Sequence, residues 1–150
     1  MVHLNVLLKM RSTFIHIAGS NQQEVEQVLT EFSAEGIYIN YYHDHPTEFS
    51  WQEGEELREL LGVFPPDVTV MADISGRIIG YEESLSLARF LLGRFAGVVQ
   101  DDGVGLWSLE DLLRDKPIDG RYFMGDSRVH AGLKIPNGEQ DGAGNPLPAE

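Results

Sequence analysis

The sequence predicts an α+β fold: an antiparallel sheet with helices on one face, in ferredoxin-like, split βαβ order with an extra N-terminal strand. Three observations carry this. Several short segments alternate apolar and polar residues, as a half-buried strand does. Between them lie stretches with apolar residues three and four apart, the spacing of one helix face. Taken in order, the central part reads strand, helix, strand, strand, helix, strand.

Val2 to Leu8 alternates Val2, Leu4, Val6 and Leu8 with polar neighbours and predicts the extra strand. Thr13 to Ala18 predicts a second, after the polar break at Arg11 and Ser12. Ser20, with Gln23 three residues on, offers a capping box for a helix buried through Val25, Val28, Leu29 and Phe32, and Gly36 is placed to close it. Ile37 to Tyr42 is rich in β-branched and aromatic residues and predicts a strand. His43 to Ser50 is polar, holds Pro46 and reads as a loop. Trp51 to Leu61 has helical spacing through Trp51, Leu57, Leu60 and Leu61, up to the stop at Pro65 and Pro66.

Val68 to Ile74 alternates again, and Ser75-Gly76 is a turn signal expected to lead into a short hairpin through Ile78 and Ile79. Tyr81, Leu85, Ala88, Leu92 and Phe95 mark the next helix, whose first turn carries Glu82 and Glu83 where the dipole favours negative charge. Gly97 to Gln100 is a short strand. Ser108 to Asp115 predicts a helix with Ser108 as N-cap and Asp111 completing the box. Residues 1–115 thus read as one domain. The tail, 116–150, is glycine- and proline-rich and reads as an irregular extension, its first half held by Tyr122, Phe123, Met124 and Val129 and its end too poor in apolar groups to order itself.

Composition excludes several classes. The chain has 150 residues, 42% of them hydrophobic and 23% charged, ordinary for a globular protein with its own core. No apolar run nears the roughly 20 residues that span a bilayer, so no membrane partner is expected. The start, MVHLNVLLKMRSTF, lacks the pattern of a secretory leader, and there is no Cys; both fit a cytoplasmic location. With 24 acidic against 11 basic residues the net charge is -13, the wrong sign for binding nucleic acid through its phosphates. An acidic surface of this kind attracts basic partners over long range.

Chemistry is hard to place on these residues. His43 and His45, with Glu48 or His16 to complete a site, have metal-ligand residue types but match no established spacing, so no metal and no cofactor is expected. Adjacent carboxylates such as Asp101 and Asp102 point in different directions along a chain and do not form a proton-sharing pair. There is no nucleophile motif and no phosphate loop. A binding protein is therefore expected rather than an enzyme. Six acids from Asp44 to Glu59 flank Trp51, and five from Asp101 to Asp115 flank Trp107. An aromatic inside a ring of charge resembles the energetic centre of an interface.

The strings LSLARFLLGRF, AGVVQDD and LWSLEDL, between Glu82 and Trp107 and just beyond, resemble small bacterial immunity proteins of polymorphic or contact-dependent toxin systems. Ala96 stands where a second Gly is expected, and the likeness spans about a quarter of the chain. The resemblance implies a protein that binds and neutralises a cognate toxin domain by occlusion. A basic toxin, such as a nuclease, would suit the charge. The expected partner-binding residues are Asp101, Asp102, Trp107, Asp44, Glu48 and Trp51. The alternatives are a small metal-dependent enzyme using His43, His45 and Glu48, and a non-catalytic structural or regulatory subunit; the oligomeric state stays open.

Overall fold

A computed structural model describes residues 11–42, 51–101, 105–130 and 132, with the side chains of 42, 51–53, 126 and 130 left aside. Its elements are β1 (Arg11–Ala18), α1 (Gln22–Leu29), β2 (Ile37–Tyr42), α2 (Trp51–Leu61), β3 (Val68–Ile74), α3 (Tyr81–Leu92), β4 (Ala96–Gln100), β5 (Leu106–Trp107), α4 (Leu109–Leu113) and α5 (Gly125–His130). The five strands make one sheet in the order β2-β3-β1-β4-β5, with every neighbouring pair antiparallel. The fold is α+β. β1 and β2 run parallel with β3 between them, which is a split βαβ closed by α1. α2 between β2 and β3, and the fifth strand beyond β4, are additions to a four-stranded pattern. The expected strand Val2–Leu8 lies outside the described residues.

Register fixes what each face of the sheet carries. Ile15, Ile17, Val70, Ala72, Ile74, Val99 and Trp107 share one face and are almost completely buried. Over that face pack α1 through Val25 and α3 through Leu87, Ala88 and Leu91, together with Leu112, Phe123 and Met124. The opposite face carries Ser12, Phe14 and His16 of β1, Thr69 and Asp73 of β3, and Val98 of β4. α2 lies on this second face, where Leu57 packs with Val98 and Leu106 and is flanked by Leu61 and Phe64. Helices are therefore not confined to one face as expected. Nothing in chain order dictates the side to which a connection crosses when both faces offer apolar residues.

The α3 stripe is rotated from the expected one. Its buried residues are Tyr81, Ser84, Leu87, Ala88, Leu91 and Leu92, while Leu85 and Phe95 are only half-buried. The helix is apolar on most of its circumference, so spacing alone did not choose the face. α1 begins at Asn21, not Ser20: the Asn21 side chain accepts from the Glu24 N–H at 2.9 Å. Gly36 does not close α1, which ends at Thr30; at φ 82 it forms the turn into β2. The expected hairpin at Ile78 and Ile79 is absent from the described residues, because the Arg11 guanidinium takes both their carbonyls, at 2.7 and 2.6 Å. The same guanidinium donates to Ser127 Oγ at 2.8 Å and so ties β1 to α5. Val129, expected to pin the tail, is exposed, whereas Tyr122, Phe123 and Met124 are buried in the fold.

Close strand contact makes one glycine indispensable. A Cβ on Gly97 would overlap the His16 carbonyl oxygen of the neighbouring strand and stand 2.9 Å from Leu92 Cδ2. Backbone in the middle of a sheet cannot retreat without opening the β1–β4 ladder. Gly97→Ala is expected to cost about 1–3 kcal/mol of stability, as overpacking of a filled site does. A urea midpoint equal to that of the parent protein would count against this packing.

Candidate functional site

Asp101 and Trp107 occupy places their neighbours' charge did not suggest. Asp101 follows β4 and is 5% exposed; its Oδ2 accepts the Met124 N–H at 2.9 Å. Met124 has φ 50, and a buried N–H in such a turn needs a partner. Asp101 thus holds the 122–124 segment to the end of β4. Trp107 is 1% exposed, packed edge-on to Phe123 with ring centroids 5.6 Å apart at 74°. It is a core residue. Both are therefore corrected from the expected partner-binding set: neither presents enough surface to touch another protein. Asp102, Asp44 and Glu48 lie outside the described residues. Trp51 opens α2, and its side chain is not among those described.

The role of Asp101 has a measurable consequence. Asp101→Ala leaves the Met124 N–H buried without this acceptor, at a cost of about 1–3 kcal/mol. Amide exchange should quicken first in Tyr122 to Arg128, before the central strands respond. Uniform exchange unchanged from the parent would contradict the clamp.

The two acidic clusters do not share a surface among the described residues. α4 carries exposed Glu110 and Leu113 and is seated with Leu112 against the first face, beside α3. α2 stands on the second face. The sheet lies between them. Part of the second cluster is moreover used internally: Asp111 accepts the Ser108 N–H at 3.1 Å while Ser108 Oγ accepts the Asp111 N–H at 3.1 Å, the expected capping box. Asp115 pairs with Arg128, which also lies over the Tyr122 ring at 4.6 Å.

What remains is the outer side of α2. Gly54, Leu57 and Leu61 turn inward, with Phe64 packed against Gly54. Glu55 and Glu59 are exposed, and Glu56 is half-buried beside them. Leu60 is 55% exposed and Val63, just past the helix, 38%. Leu60 was expected inside by its spacing, but it stands three residues from Leu57 at the margin of the stripe. Arg58 is the helix's cation and is bound to Glu55 at 2.7 Å. Glu59 sits in the last turn, where the dipole disfavours negative charge. The placement does nothing for the helix. α2 therefore offers exposed aliphatic groups surrounded by carboxylates.

The second sheet face also holds polar groups, among them His16, which the sequence offered as a candidate metal ligand. His16 is fully buried, with Nδ1 2.9 Å from Thr69 Oγ1 and Nε2 3.0 Å from Gln100 Oε1. With the amide oriented so, Nε2–H donates to Gln100 and Nδ1 accepts from the Thr69 hydroxyl. Both ring nitrogens are engaged, as in a histidine that serves packing. Farther along, Ser12 Oγ donates to Asp73 Oδ1 at 2.6 Å and Asn40 Nδ2 to Asp73 Oδ2 at 3.2 Å. Among the described residues no group of three or more His, Asp or Glu is placed to hold a metal ion. His43, His45 and Glu48 are outside them. A small cleft between α3 and α4, lined by Tyr81, Trp107, Asp115 and Lys116 among others, has room of about 10 Å³, enough for a water molecule and no more.

Burial raises the Tyr81 phenol above its ordinary 10.0, against the opposing effect of nearby Arg128. The folded state thus holds this proton more tightly than the unfolded chain. Stability from this source is complete below pH 10.0 and is lost as pH rises through the folded value. Denaturation midpoints are expected to hold up to pH 10.0 and to fall as pH rises above it, with a shallower fall in Tyr81→Phe. An equal fall in both proteins would remove Tyr81 from the account.

Comparison with family models, curated proteins and solved structures returns no match. No helix among the described residues is long and apolar enough to cross a membrane.

Proposed function

We propose that this chain is a bacterial immunity protein, acting in the cytoplasm by binding alone, and that it occludes a basic toxin domain through the outer side of α2. The observation that carries the reading is the exposure of Leu60, at 55%, among Glu55, Glu56 and Glu59 in a chain of net charge -13. Exposed aliphatic groups supply desolvation energy at the centre of a contact, and surrounding charge sets the approach and the choice of partner. A toxin that acts on nucleic acid needs a basic surface for its substrate, and an acidic helix competes for that surface. No cofactor enters this reading.

The test is neutralisation. Polypeptides encoded by the flanking genes are produced in a bacterial host with and without this chain, and growth is followed. The reading expects one of them to arrest growth, and the chain to restore it and to copurify with that product. Failure of every neighbour to arrest growth, or arrest that the chain does not relieve, would overturn it.

A further inference from the structure

Among the described residues, β2 forms the edge of the sheet far from α2. β2 is an edge strand, paired with β3 on one side, and its sequence IYINYY has no charge and no proline. Proteins ordinarily guard such an edge with lysine, proline or a bulge, because its outward N–H and C=O groups template another strand. The Ser75 N–H donates to the Gly36 carbonyl, and antiparallel bonding alternates from there along the register. Ile37, Ile39 and Tyr41 therefore turn their backbone groups outward. Among the described residues nothing pairs with them. Tyr38, on the second face, is 58% exposed.

Charge selects the occupant. From Ser12 to Leu57 the chain has no Lys or Arg, while Glu24, Glu26, Glu31 and Glu35, on α1 and the turn before β2, are exposed. The Glu26 carboxylate is close enough to Tyr41 to add to the effect of burial in holding its phenol protonated. A second copy of this chain would bring the same acids against themselves. We propose that the outer edge of β2 accepts one further strand, an extended lysine- or arginine-bearing segment of a partner protein. Backbone hydrogen bonds would supply the pairing, and the α1 carboxylates the preference for basic side chains. This goes beyond the reading of α2 and fails separately from it, because a short peptide reports on β2 whether or not α2 meets a toxin.

The probe is a peptide of about ten residues in which lysine alternates with valine and threonine, long enough to cover the strand. Added to the full chain, it is expected to slow amide exchange at Ile37, Ile39 and Tyr41 about tenfold, with β1 unchanged. Tyr38→Lys, at an exposed position, should weaken binding about fivefold while Tyr38→Glu does not. A glutamate counterpart of the peptide should not bind. Protection confined to α2 or spread over the acidic surface would overturn the proposal. So would slow exchange of these amides in the protein alone: if it appears only as sedimentation detects a dimer, the occupant is a second copy, and if it persists on dilution, a segment of this chain covers the edge.

Discussion

Trp107→Ala is expected to destabilise the protein by about 3–5 kcal/mol, the range for removing a large aromatic side chain from a core. Domains of this size are stable by about 5–15 kcal/mol, so this one change removes a large share. The indole sits on the buried face of β5, against Phe123 and beside Leu112. A Cβ on Gly105 would overlap its six-membered ring, so the chain already gives up a side chain to admit it. Its Nε1 is buried with no hydrogen-bond partner among the described residues. The loss is therefore one of packing, and Trp107→Phe should recover much of it. Chemical denaturation decides the point: a change below about 1 kcal/mol would return Trp107 to the surface, where its acidic neighbours first suggested it belonged.

That disagreement marks where the sequence was legible and where it was not. β2, α2 and β3 have the boundaries expected, because alternation, helical spacing and the Pro65-Pro66 stop are local signals. Ser108 and Asp111 formed their capping box for the same reason. The face that α3 buries was not local information, since its apolar residues form an arc wide enough to admit more than one stripe. Nor was the side of the sheet to which α2 crosses, which depends on Val98 and Leu106, residues well beyond it in sequence. Acidity misled at Asp101. A count of carboxylates cannot distinguish one facing solvent from one that accepts a backbone N–H, as Asp101 does. The Asp44 to Glu59 cluster fared differently: Glu55, Glu56 and Glu59 are on the outer side of a helix, and only the exposed aliphatics beside them went unread.

The second large effect is kinetic. Glu55→Lys combined with Glu59→Lys changes the charge of the proposed contact by four units, and is expected to slow association with the proposed toxin partner about tenfold at low salt. The fold should tolerate it. Glu55–Arg58 is an exposed pair at 46% and 56% and contributes little. Glu59 opposes the helix dipole, so lysine there favours the helix. Stability and association thus separate in this variant, as they do in the opposite sense for Trp107→Phe, which should lose stability and keep its on-rate.

The most direct measurement is the association rate of the chain with the toxin domain proposed as its partner, followed as ionic strength rises, for the parent protein and for the Glu55→Lys, Glu59→Lys variant. The account predicts a parent rate that falls steeply with salt, and a variant that starts about tenfold slower and has a flatter dependence, with dissociation little changed. Equal rates and equal salt dependence in the two proteins would contradict it.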